Sequence, residues 1–206
     1  MTIAALCLFA MVTLAQKTIR VAAGKTDLVM QVSPKGRLYQ VYLGEKLQNA
    51  TDYDQLKWDV YAASDGAVCQ RGHEVCATSG AEDFFEPALA ITHADGNMTT
   101  YLYFQSVEQK PVEGGAETII TLADKEYPVT VKLHYVAYPK QSVIKAWSEV
   151  THKEKAPITL WRYASTMLYF KSAKYFVTTY QRLGQGGSAG DNPTDLGQED
   201  SGYETG

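Results

Sequence analysis

The sequence predicts an all-β protein, a large antiparallel β-sandwich. Three observations carry that prediction. Val129, Val131, Leu133, Tyr135 and Ala137 alternate with Thr130, Lys132, His134, Val136 and Tyr138, the period of a strand with one face in a core. Runs of the same kind recur along the middle of the chain, separated by turn signals. No convincing amphipathic helix, linker or internal repeat interrupts them before Tyr180.

In chain order the strand-like runs are Asp27–Val32, Arg37–Leu43, Pro87–Thr92, Thr99–Gln105, Glu117–Leu122, Val129–Tyr138, Ser142–Thr151, Ile158–Leu168 and Lys174–Tyr180. Each is rich in β-branched, aromatic or aliphatic residues, which fit a pleated surface. Between them stand Ser33-Pro34-Lys35-Gly36, Ala94-Asp95-Gly96-Asn97, Glu113-Gly114-Gly115 and Tyr138-Pro139-Lys140. Gly, Pro, Asn and Asp supply the backbone angles that reverse a chain. Short strands at this spacing argue for one β domain over residues 16–180.

Composition bounds the function. With 45% hydrophobic and 20% charged residues, the chain has the make-up of a globular protein rather than a disordered one. A net charge of −4 and no basic run argue against a nucleic-acid partner, which would need clustered Lys and Arg for phosphates. Fourteen Tyr suit strands and sugar-stacking surfaces equally, so the count does not choose between them.

The two ends differ from the middle. Thr2 to Ala15 is uncharged and almost all apolar, too short for a bilayer span. Thr13 and Ala15 place small residues before Gln16, so residues 1–15 read as a secretory signal peptide, with a buried N-terminal helix as the alternative. That reading predicts a periplasmic or secreted protein. Residues 181–206 are rich in Gly, Ser, Asp and Gln, with Leu183 and Leu196 as their only large aliphatic residues, and are predicted to be a disordered tail.

Several residues could carry chemistry. Cys69 and Cys76 bracket His73 and could close a small disulfide loop in an oxidising compartment. Three candidate ligands at this spacing do not resemble a zinc knuckle. Asp59 follows Trp58, but one carboxylate is no glycosidase mechanism, and an exposed Asp is the alternative. Residues 80–87 pack Glu82, Asp83 and Glu86 around Phe84 and Phe85. Acceptors beside aromatic faces suit sugar hydroxyls, and a solvated loop with two docked Phe is the other reading. Asn49-Ala50-Thr51 and Asn97-Met98-Thr99 fit the N-glycosylation pattern. There is no phosphate-binding Gly-rich loop, no Gly-x-Ser-x-Gly elbow and no helical pair of metal-binding His.

The run Glu86-Pro87-Ala88-Leu89-Ala90-Ile91-Thr92-His93-Ala94-Asp95-Gly96-Asn97 resembles a segment in the N-terminal domain of glycoside hydrolase family 36, the bacterial α-galactosidases. Leu38–Leu47 resembles that domain's early strand and turn, Leu133–Tyr138 its "L-x-Y-x-x-Y" strand, and Ile158–Ser165 its "(apolar)-x-L-x-x-x-x-S" strand. The order and spacing agree over roughly Lys25 to Tyr180.

The resemblance implies a galactose-mutarotase-like supersandwich placed before a catalytic (β/α)₈ barrel that holds both catalytic aspartates. A barrel needs roughly 250 residues, and too few follow Tyr180 in this sequence. The chain is therefore expected to be non-catalytic, with no cofactor and no catalytic residue, while the intact enzyme would act on terminal α-galactosides. In some members the sandwich lends an acidic loop to a neighbouring subunit's active site. That loop resembles Gly80–Pro87, so Asp83 and Glu86 are the implied substrate-binding residues and a homo-oligomer is the implied assembly. Phe85 stands where the family usually has a basic residue.

After a strand like Phe176–Tyr180 the family carries a "(G/S)-x-W-A-x-E" segment, whereas here Gln181 follows. With suitable synonymous codons, residues 181–186 read one base later give Ser-Asp-Trp-Ala-Lys-Glu, so an out-of-frame tail is expected. Two rivals remain at this stage. A stand-alone sugar-binding module would need exposed Trp58, Trp147 or Trp161, and a structural interaction domain would bury them.

Overall fold

The computed structural model describes residues 17–57, 74–80 and 86–170, together with the backbone of residues 175–177 and 194–196. The chain divides into two units, Met1–Tyr169 and Phe170–Gly206. The first is an antiparallel β-sandwich. Strands β1 (Lys17–Ala23), β2 (Thr26–Val32) and β3 (Leu38–Glu45) form one sheet in that order. A single helical turn, α1 (Asp52–Gln55), follows. Strands β5 (Tyr103–Val112), β6 (Gly115–Ala123), β7 (Val129–Tyr138) and β8 (Val143–His152) form the second sheet, again in sequence order. Strands β4 (Leu89–Thr92) and β9 (Thr159–Tyr163) pair as a separate two-stranded ladder. In the second unit, β10 (Tyr175–Val177) pairs antiparallel with β11 (Thr194–Leu196).

The core lies between the two larger sheets. Ile19, Val21, Leu28, Met30, Val32 and Leu38 face Ile120, Leu122, Val129, Val131, Leu133 and Tyr135 in one buried cluster. All five residues expected on the inner face of β7 are buried. The opposite face of β7 is less wet than simple alternation implies, because His134 and Val136 are buried as well. Central strand β2 is buried on both sides. Its outer face, Asp27, Val29 and Gln31, is covered by the segment around α1. There Tyr53 donates its hydroxyl to Asp27, and Gln31 Nε2 donates to the Leu56 carbonyl at 2.7 Å.

Turn chemistry sets the registers. The β5–β6 hairpin closes on Glu113-Gly114, with Val112 opposite Gly115. Gly114 has φ +77°, a left-handed backbone angle that L side chains resist. At the same end of the sandwich, Ser142 Oγ accepts the Lys25 amide at 3.1 Å, tying the β7–β8 turn to the β1–β2 turn.

The strand boundaries move from the sequence expectation in instructive ways. β1 was not anticipated, although Ile19, Val21 and Ala23 alternate correctly, because it begins directly after the apolar leader-like run. β5 starts at Tyr103, and residues 99–102 instead wrap buried Thr100 and Leu102 against the core. The expected Cys69, the 1–15 leader and all of 181–206 except β11 lie outside the described residues.

Candidate functional site

Residues 74–80 and 86–92 converge from either side of a short excursion. Thr78 bridges Leu89 in parallel, the Ser79 amide donates to the Leu89 carbonyl at 3.0 Å, and the Ala88 amide donates to the Ala77 carbonyl at 2.9 Å. The residues on either side of the acidic segment 81–85 are therefore held together by backbone hydrogen bonds. Gly80 opens it with φ +76°, and a Cβ there would meet Thr99 Oγ1 at 2.5 Å. Only glycine takes that backbone and that approach without strain. Asp83 lies outside the described residues, whereas Glu86 closes the excursion and is exposed.

Glu86 pairs with Arg162 of β9. Both side chains are open to water, 75% and 43% exposed, so the pair adds little stability but holds two polar groups together. Their neighbour is Trp161. The β4–β9 register slips between Ala90 and Ile91, so Trp161 has no direct partner in the ladder. Its indole N–H donates to Thr92 Oγ1 at 2.7 Å, while the residue stays 68% exposed. The whole of β9 is exposed, an unusual state for a strand carrying Leu160, Trp161 and Tyr163. An indole with its plane fixed by a hydrogen bond and a guanidinium on β9, with a carboxylate three residues before β4, make up a polar-aromatic patch. Such a patch can stack on an apolar ring face and exchange hydrogen bonds with hydroxyls.

The other Trp residues behave differently. Trp147 is partly buried, stacked on His134 with centroids 4.6 Å apart and planes 10° off parallel, and Lys145 lies 5.2 Å from its ring. His134 Nδ1 in turn contacts Glu117 at 2.7 Å, and Lys110 holds Glu117 at 3.0 Å. These hydrogen bonds, His134 first and Lys110 second, hold the Glu117 carboxyl below the usual range. This cluster braces the outer face of the second sheet. Trp58 lies outside the described residues.

A second polar cluster has the order of an acyl-transfer triad. Glu154 contacts His93 Nδ1 at 2.8 Å, and His93 Nε2 contacts Thr100 Oγ1 at 2.9 Å. Thr100, however, is fully buried, so no substrate carbonyl reaches its hydroxyl, and His93 is stacked on Tyr127 at 3.5 Å. The arrangement locks a turn rather than performing chemistry. A buried ion pair, Arg37 with Glu74 at 2.7 Å, similarly anchors residue 74 to the start of β3. Among the described residues no group of His, Cys, Asp and Glu could hold a metal ion. None of their helices is long and apolar enough to cross a membrane.

Cys76 is a free, buried thiol whose pKa burial pushes up to about 12. Sequence reasoning named Glu86 as a candidate and Trp161 among possible platforms. It missed Arg162 and Thr92, because nothing in the linear text reveals which residue of β9 faces β4 or where the register slips.

Residues 36–181 match the model of the glycosyl hydrolase family 36 N-terminal domain. The fold agrees with α-galactosidase AgaA from Geobacillus stearothermophilus, with a TM-score of 0.68 and 22% identity over 78% of this chain and 25% of that one. AgaB from the same organism gives 0.65 and 21% over 78% and 25%. The α-galactosidase from Lactobacillus brevis gives 0.63 and 19% over 77% and 24%. The chain thus spans about a quarter of the length of these structures. Variants of AgaA were solved with raffinose and with stachyose. No curated protein matches the chain.

Proposed function

Because the chain belongs to glycosyl hydrolase family 36 through the N-terminal domain of that family, we propose that it serves as the non-catalytic sandwich of an α-galactosidase, presenting a sugar-facing patch to α-galactosides. The observation that carries the proposal is the exposed Glu86–Arg162 pair beside a fixed, exposed Trp161. Asp83 precedes Glu86 by three residues in the chain, and in this reading Asp83 and Glu86 accept hydrogen bonds from sugar hydroxyls.

Hydrolysis of a glycoside with retention requires two carboxyl groups about 5–5.5 Å apart, one to attack and one to protonate the leaving oxygen. In this reading both belong to a barrel domain, and the sandwich contributes recognition, in some assemblies across a subunit boundary. Residues 1–15 would direct the protein to the periplasm or outside the cell, and nucleotide sequence past the Tyr180 codon would reveal a one-base shift if residues 181–206 are out of frame.

The deciding experiment titrates the purified chain with raffinose while following Trp fluorescence and, in parallel, offers it an aryl α-galactoside. The proposal expects saturable binding in the millimolar range, about −4 kcal/mol, lost in Trp161→Ala and weakened in Glu86→Gln. It also expects no release of the aryl alcohol above a mock preparation. A second reading, a stand-alone carbohydrate-binding module, is favoured by the exposure of Trp161. It predicts comparable binding of sugars that lack a terminal α-galactose.

A further inference from the structure

The edge of β1 that no described strand covers carries a feature that the sugar-facing patch does not use. β1 pairs only with β2 among the described residues, so its other side is a sheet edge. A cleft of about 290 Å³ opens there, lined by Lys17, Thr18, Ile19 and Arg20 and, across it, by Val107 and Gln109 of β5. Four consecutive residues of one strand point alternately to opposite faces. They can all line one cleft only if its wall is the strand's backbone edge. The cleft is thus a slot between the edge of β1 and the side chains of β5.

Sheet edges are usually guarded by charged side chains thrown across them. Here the two charged residues are turned aside. Lys17 Nζ lies 4.9 Å over the Phe104 ring, and Arg20 folds onto Asp27 at 2.9 Å and onto the Tyr53 ring at 4.4 Å. The backbone edge is left approachable, with two cations beside it. Arg20 also keeps one buried donor, Nε, without a hydrogen-bond partner among the described residues.

We propose that the β1 edge is a docking slot for an extended acidic peptide segment of a partner protein, which adds to the sheet as a strand antiparallel to β1. Main-chain hydrogen bonds to β1 supply the affinity, and carboxylates beside Lys17 and Arg20 supply the selectivity. A second copy of this chain fits the slot poorly. Full antiparallel overlap of Lys17–Ala23 with itself sets Arg20 opposite Arg20, and like charges directly opposite each other are destabilising.

The test uses the full chain and the capped peptide Thr-Glu-Val-Val-Glu-Thr as probe, whose two Glu, three residues apart, fall on opposite faces of an added strand as Lys17 and Arg20 do on β1, followed by amide chemical shifts and hydrogen exchange. Binding is expected to saturate, to shift Lys17–Ala23, Val107 and Gln109, and to protect alternate β1 amides. Placing Pro for the first Val of the probe, which removes a donor, is expected to abolish it. Lys in place of both Glu, or the variant Lys17→Glu, is expected to weaken it about fivefold or more. Gln109→Ala, on the far wall and outside the β1 ladder, provides a second variant expected to weaken binding without touching the edge. Equal binding of the Pro probe, shifts confined to residues away from β1, no saturable shift at all, or pairing of β1 with a second copy in place of the probe would each overturn the proposal.

Discussion

His93 and Glu154 are 61 residues apart in the chain and 2.8 Å apart in the fold. Glu154 also accepts the Ala94 amide at 2.8 Å, so a single carboxylate pins the turn after β4 to the chain beyond β8. Burial pushes the Glu154 carboxyl up, but the hydrogen bonds from His93 and Ala94 more than offset it, and the group is held below its ordinary range.

A depressed carboxyl pKa contributes stability above the unfolded value, about 4.3 for Glu. That contribution disappears as pH falls through the lower folded value. Glu117 is shifted in the same direction. The melting temperature is therefore expected to hold between about pH 6 and 7 and to fall below about pH 4. Glu154→Gln should lower it by roughly 5 °C at pH 7. The gap between variant and parent should close as pH falls toward 3. A constant gap across the series, measured by calorimetry, would remove Glu154 from the acid response.

Gly80 and Gly96 make a matched pair. Both have positive φ, +76° and +88°, but a Cβ at Gly80 collides with Thr99 while one at Gly96 meets nothing within 4 Å. Gly80→Ala is expected to cost about 2–3 kcal/mol in urea unfolding and Gly96→Ala about 1. Equal losses would mean that backbone angle alone, not the approach of Thr99, dictates glycine at position 80.

With its pKa pushed up to about 12, the Cys76 thiol carries roughly three orders of magnitude less thiolate at pH 8 than an ordinary cysteine. In the native protein it should resist iodoacetamide, and alkylation should follow unfolding. Rapid native labelling at Cys76 would contradict its burial. Alkylation of the denatured sample without reductant is expected to label Cys76; no label there would instead indicate the Cys69–Cys76 bridge expected from the sequence.

Exposed apolar residues on β9 should make the chain associate. Leu160 and Tyr163 are 47% and 45% exposed beside Trp161. Light scattering is expected to rise with concentration, and Leu160→Ser should suppress it while leaving the melting temperature within about 2 °C. Unchanged association would move the sticky surface elsewhere.

Much of the sandwich was legible because its core strands obey period two. Val129 through Ala137 announce an inner face, and Gly114 and Gly36 announce reversals that the structure contains. Legibility failed where tertiary contacts override the period. β2 reads as a half-buried strand yet is buried on both faces, because α1 brings Tyr53 and Leu56 over it. The candidate site was half legible. Glu86 stood in a recognisable segment, but its partnership with Arg162 depends on the β4–β9 register, a relation between distant strands that local sequence does not encode.

The order of the strands has a consequence for how the molecule assembles. β1-β2-β3 and β5-β6-β7-β8 are each uninterrupted meanders, built from neighbours in the chain through short reversals. Each meander can therefore zip up from local contacts, and the distant steps are closing the β4–β9 ladder and laying one sheet on the other. The domain is in this sense severable. A nick in the connection from β3 to β4 removes no ladder within either meander, and co-expressed halves have all the pairings they need to find each other again and restore the shared interior.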